Sequence, residues 1–142
     1  MIRDIKIDLS HMSRHTIDTS QIKTQAEGER AALLIAEKLV DVNSKHLPPT
    51  KLYDSGVKYR AEATDAAYAD ATACIARGYA DAVEIAAWRC AELRAAGVNA
   101  RIYLERQAAG DAPHIFYYTV KVLLPDGSTE NTVEQIRECG AR

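Results

Sequence analysis

The sequence predicts an α+β domain in which one central helix packs against a small antiparallel sheet. Residues 78–97 read as a helix that opens with Asp81 and Glu84, three apart as in a capping box, and stops at Gly97. Two alternating stretches follow, at 99–105 and 114–124, the second long and rich in aromatic and β-branched residues. Pro125, Asp126 and Gly127 then form a tight hairpin loop that returns the chain into a strand at 128–132.

A chain of 142 residues is one domain of ordinary size and can bury a core without disulfide or metal staples. The net charge of -2 weighs against a general nucleic-acid binder, which needs a basic excess, and leaves room for a local basic patch. Cys74, Cys90 and Cys139 are odd in number and widely spaced, with no CxxC pair, and read as three reduced thiols. No cofactor and no metal is expected. The opening MIRDIKIDLS alternates charge with isoleucine instead of building an apolar run, so it does not read as a signal peptide. No stretch approaches the length of a membrane-spanning helix, and no membrane partner is expected.

From the N-terminus, Ile5, Ile7 and Leu9 alternate with Lys6 and Asp8, which predicts a strand over 4–9. Residues 10–24 are polar and broken, and read as an extended arm. His11 and His15 are four apart, but no carboxylate or cysteine completes a ligand set, so they read as solvated. The chain thus divides into a strand and arm at 1–24 and a domain at 25–142. In residues 25–44, Ala31, Leu34, Ile35, Leu39 and Val42 follow helical spacing, with Lys38 an exception on the apolar side. Pro48 and Pro49 end that helix, and Asp54, Ser55 and Gly56 signal a turn in the loop that follows. An alanine-rich helix is predicted over 64–77, punctuated by Gly78. The tail, VEQIRECGAR, has the pattern of one helical turn or more.

A central helix followed by antiparallel strands offers a specific chemistry. A cysteine in the first turn of a helix has its thiolate stabilised by the helix dipole and the free amides. A histidine on a neighbouring strand takes its proton, and an Asp or Asn on the next strand orients the histidine.

Three stretches give this arrangement a family likeness. LYDSGVKYRAE (52–62) is close to a segment of the form LYxSGVRYRxE. ARGYADAVEIAAWRCAELRAAGVNAR (76–101) is close to ARGxGDCxDLAAWRxAELRxxGxxAR. YTVKVLLPDGSTEN (118–131) is close to YHxxVxxPDGSxED. With these stretches the chain resembles the short transglutaminase-like proteins of tailed bacteriophages, within the papain/transglutaminase superfamily. The likeness covers most of residues 50–132 and none of the first fifty. It implies the cysteine-peptidase scaffold as the fold.

Carried over position by position, the resemblance puts the family's nucleophilic cysteine at Ala82, its catalytic histidine at Thr119 and its orienting Asp at Asn131. All three positions depart from the catalytic set, although Asn replaces Asp in this chemistry elsewhere. His114 is the challenger for the base. With a three-residue hairpin loop, Asn131 lies opposite Lys121 on the face that carries Thr119, while His114 shares the other face with Phe116, Tyr118 and Val120. A bulge would reverse that parity. The His114 face is the more apolar one; if it packs on the central helix, His114 comes nearer the helix start. Substitute nucleophiles are poor. Cys90 lies about 12 Å along the helix from Ala82 and reads as a small buried residue, Cys74 as a packing residue, and Cys139 falls in the tail. Ser55 and Ser128 are explained by turns, and Trp88 reads as core.

The expected function is therefore a noncatalytic transglutaminase-like domain, a pseudoenzyme acting as a structural or assembly protein of virion type. The alternative is a cysteine peptidase or acyl transferase held inactive by Ala82 in place of its cysteine. That would explain Ala82 but not Thr119. The resemblance implies protein partners, either phage structural proteins or further copies of the chain, no nucleic acid, and a place in the virion or the host cytoplasm. The N-terminal strand and arm are expected to leave the domain body and contact another subunit or a virion protein; the alternative is a strand added to the domain's own sheet.

Overall fold

The computed structural model describes residues 5–7, 15–17, 25–61, 67–109 and 112–140, which form eight strands, four α-helices and one 3-10 turn. The fold is α+β, with a three-stranded antiparallel sheet as its largest β element.

The element that organises it is α3 (Ala82–Ala95). Its start is fixed by the capping box read from the sequence: the Asp81 side chain accepts from the Glu84 amide at 2.8 Å, and the Glu84 carboxylate accepts from the Asp81 amide at 2.9 Å. Its end is fixed by Gly97, which takes a φ of 87° that a side chain would strain, while the Val98 amide closes onto the Leu93 carbonyl at 2.9 Å. The chain then forms β6 (Arg101–Ala109), β7 (Ala112–Leu123) and β8 (Thr129–Glu130), in the order β6-β7-β8. Leu123 pairs with Thr129, and the Leu124 amide donates to the Ser128 carbonyl at 2.8 Å, so the hairpin loop is the three residues Pro125, Asp126 and Gly127.

Two cores meet on α3. Ala86, Ala87, Cys90 and Ala91 face a cluster built from α1 (Gln25–Lys45) and the inner face of the sheet, with Ile35, Leu39, Val40, Ile102, Val120 and Val122. Ile85 and Trp88 face a second cluster with Leu52, Val57, Ala80 and Ile136. The alanines let both neighbours come close, which is why this helix lacks a one-sided stripe.

Other elements differ from expectation. In α1 the buried arc includes Ala36, Val40 and Asn43, and Leu34 falls outside it at 66% exposure. Of the helix expected over 64–77, residues 64–66 lie outside the described residues and α2 spans Ala71–Arg77, started by Asp70, which accepts from the Ala73 amide at 3.0 Å. Before it, β4 (Ala67–Tyr68) pairs in parallel with β1 (Ile5–Ile7), which also pairs antiparallel with β2 (His15–Ile17). The first strand thus pairs within the chain instead of with a neighbour, in a sheet separate from β6-β7-β8, and His15–Ile17 of the expected polar arm is a strand, the rest of 10–24 lying outside the described residues. After the 3-10 turn Leu52–Asp54, β3 (Lys58–Tyr59) pairs in parallel with β5 (Tyr79–Ala80). The tail forms α4 (Thr132–Gly140).

Candidate functional site

The first turn of α3 is where a thiol would gain most from the helix dipole and the free amides. Ala82 occupies it, half-buried beside the first core. A methyl group can neither ionise nor attack a carbonyl. The charges around this turn are carboxylates engaged in structure. The Glu84 side chain is fully buried; it accepts from the Ala69 amide at 2.6 Å, from the Asp81 amide, and from the Arg77 guanidinium. Arg77 stacks over the Tyr79 ring at 4.4 Å. Asn43 of α1 accepts from the Ala71 amide at 2.8 Å, so the loop entering α2 is held by buried acceptors on two helices.

Thr119 and Asn131 do not join Ala82. Val120 and Val122 turn inward to pack with α3, so Thr119, of the opposite parity, lies on the outer face of the sheet with Lys121, opposite Glu105. The parity argument made from the sequence holds near the hairpin, and its consequence is that the position matched to the family's histidine points away from the helix. Asn131 starts α4: its side-chain oxygen accepts from the Glu134 amide at 3.2 Å and its carbonyl from the Gln135 amide at 3.1 Å. His114 lies in β7 opposite a register shift between Ala108 and Ala109, and its side chain falls outside the described residues, as does all of His11.

The thiols are equally remote from the required environment. Cys90 is buried, its Sγ 3.3 Å from the Ala100 carbonyl oxygen, and burial pushes its thiol up to about 11. Cys74 is buried with its Sγ 3.7 Å from the Ala69 carbonyl oxygen, and desolvation, reinforced by Glu84, raises its thiol well above the ordinary range. Cys139 is half-buried at a cavity of about 290 Å³ that Leu52, Tyr53, Val57 and Ile136 also line. Among the described residues, no three His, Cys, Asp or Glu are grouped to hold a metal, and no helix is long and apolar enough to cross a membrane.

No protein-family model, curated protein or solved structure matches the chain.

Sequence reasoning missed a polar clasp between the 3-10 turn, α3 and β8. The Glu92 carboxylate accepts from the Leu52 amide at 2.7 Å and from Arg89 at 3.3 Å. Arg89 donates to Glu130 at 2.7 Å and lies 5.0 Å over the Tyr53 ring, while the Tyr53 hydroxyl also donates to Glu130. Burial and that bond to Glu130 raise the Tyr53 hydroxyl far above its ordinary value, so it stays protonated and donating. The signal was present as charge inside an alanine-rich helix: Arg89 and Glu92 had to find partners once α3 was buried on two sides.

These contacts account for much of what carried the family likeness. Tyr53 belongs to the clasp, and Ser55 closes the 3-10 turn, its hydroxyl donating to the Leu52 carbonyl at 2.6 Å. Arg77, Asp81 and Glu84 form the helix-start network, and Arg89 and Glu92 the clasp. Asp126 ties the hairpin by accepting from the Ser128 amide at 2.9 Å and hydroxyl at 2.6 Å. Trp88 is fully buried, and its Nε1, like the Thr132 hydroxyl, has no hydrogen-bond partner among the described residues.

Proposed function

We propose that this chain is a noncatalytic domain of transglutaminase-like type that acts as a structural or assembly component, of the kind found in virions, through protein–protein contacts. One observation carries the reading. The helix start offers the Ala82 methyl where the chemistry needs a thiol, and the residue matched to the base, Thr119, sits on the far face of the sheet. The motif residues support it as well, because the scaffold uses them for its own hydrogen bonds.

The alternative, an enzyme disabled at one position, accounts for Ala82 alone and leaves Thr119 unexplained. Its partners would be peptides or acyl donors, whereas the assembly reading takes phage structural proteins or further copies of this chain, in the virion or the host cytoplasm. The test is direct. The unaltered chain is incubated with fluorogenic peptide, amide and ester substrates, with and without an amine acceptor. Rates equal to those of the buffer are expected; turnover above that level defeats the reading.

A further inference from the structure

We propose that the outer edge of β6, which no strand pairs among the described residues, pairs with the same edge of a second copy of this chain, antiparallel and centred on Tyr103. The inference deepens the assembly reading by naming a surface and a partner, and rests on it only in supposing that the domain works through contacts.

The backbone fixes which groups are available. The Leu124 amide bonds to Ser128 in the β8 direction, so even-numbered residues of β7 turn their backbone groups to β8 and odd-numbered ones to β6. Leu123, Lys121 and Thr119 pair with Arg101, Tyr103 and Glu105, so those three residues of β6 spend their amides and carbonyls on β7. The backbone groups of Ile102 and Leu104 point the other way, where no strand pairs with β6 among the described residues. At Ala100 that side is already served, because its carbonyl accepts from Arg94 at 2.9 Å. The open stretch therefore begins at Ile102.

The side chains select the occupant. Arg101 and Tyr103 are exposed on the outer face of the sheet, Tyr103 at 39%, and Glu105 shares that face, where Lys121 donates to it at 3.0 Å. Among the described residues no ion pair engages Arg101. The order Arg101, Tyr103, Glu105 is self-complementary about its middle. In an antiparallel pair centred on Tyr103, Ile102 exchanges hydrogen bonds with Leu104 of the second copy, and Leu104 with Ile102 of the second copy. This register needs the outward backbone groups that the fold supplies. It also sets Arg101 opposite Glu105 of the second copy twice over, and brings the two Tyr103 rings together at the two-fold axis in a close, non-hydrogen-bonded pair. The two sheets become one of six strands. The contact is small, so the dimer forms in a concentration-dependent way.

Sedimentation equilibrium over a concentration series tests this with the full chain. The unaltered protein is expected to dimerise reversibly. Arg101→Glu and Glu105→Arg each turn two attractive cross-strand pairs into two repulsive ones, and each alone should weaken self-association roughly tenfold or more. Mixed together, the two variants restore both pairs and should form a heterodimer. Tyr103→Cys in a Cys139→Ser background should give a disulfide-linked dimer on mild oxidation, and this reading stands even if a charge variant folds poorly. The proposal is overturned by a monomer at every concentration, by single variants that associate like the unaltered chain, by a mixture that does not restore association, or by failure of the Tyr103→Cys cross-link. A monomer would remove this interface and leave contacts with other virion proteins open, whereas substrate turnover would remove the noncatalytic reading and leave the dimer intact.

Discussion

Replacing Glu84 with alanine should be the most damaging single change to the start of α3. The carboxylate is fully buried and accepts hydrogen bonds from the Ala69 and Asp81 amides as well as from Arg77. Removing it strands two backbone donors, each costing about 1–3 kcal/mol when buried without a partner. Arg77 is partly exposed and recovers some of its loss from water. At about 2 kcal/mol for each stranded donor the sum is about 4 kcal/mol, within the roughly 3–5 kcal/mol that breaking a buried pair costs. Against a total stability of about 5–15 kcal/mol this is a large fraction. In urea, with a slope of roughly 2 kcal/mol per molar, the midpoint followed by circular dichroism should fall by about 2 M. Glu84→Gln keeps the volume but turns an amide N–H₂ toward a backbone donor, and should lose about half as much. Leu34→Ala, on the exposed side of α1, should stay within about 0.5 kcal/mol of the unaltered protein. A midpoint shift for Glu84→Ala no larger than that for Leu34→Ala would refute the network as described.

Three further outcomes follow from the same geometry. Ala82→Cys, alone or with Thr119→His, should hydrolyse no peptide or ester, because residue 119 lies on the far side of the sheet; activity in the double variant would show that the two positions meet. Cys74 and Cys90 should resist iodoacetamide near neutral pH until the chain unfolds, since burial raises both thiols, and mass spectrometry of labelled native protein would find modification at either if this is wrong. The Asp126 carboxyl is held below its ordinary value by the Ser128 hydroxyl and amide. Its contribution to the turn is therefore complete above the unfolded aspartate value and lost as pH falls through the lower folded one; carboxyl titration by NMR should show Ser128→Ala moving the value back up.

The parts of the fold legible in the sequence are those fixed over short separations. The capping box, the Gly97 stop and the three-residue hairpin loop each involve residues within five of one another, and all three form as read. The alternation in β7 separates Val120 and Val122 from Thr119 and Lys121, and the first pair is the buried one. What stayed hidden depends on partners far along the chain. The pairings of β3 with β5 and of β1 with β4 are two residues long, too brief to leave a periodic trace. At the site, the place of Ala82 in the first turn of α3 was legible because the helix start was. The sheet face that carries Thr119 was legible only as a parity, and which parity meets α3 needed the packed structure. Tyr53 meets Glu130 across 77 positions and Arg89 meets it across 41, and nothing local marks those choices.

The placement of α3 between two clusters bears on how the molecule opens. Leu47 packs against both clusters, and the clasp from Leu52 to Glu92 ties the second to the same helix. Neither cluster can come apart without exposing one side of α3, and an exposed side removes the wall that the other requires. Partial unfolding that spares one half of the domain is therefore disfavoured, and native-state hydrogen exchange is expected to find the amides of α3 opening only with the whole molecule. Arg101 and Tyr103, exposed on the outer face of β6, stand outside this lock, so a change at either leaves the interior one cooperative unit.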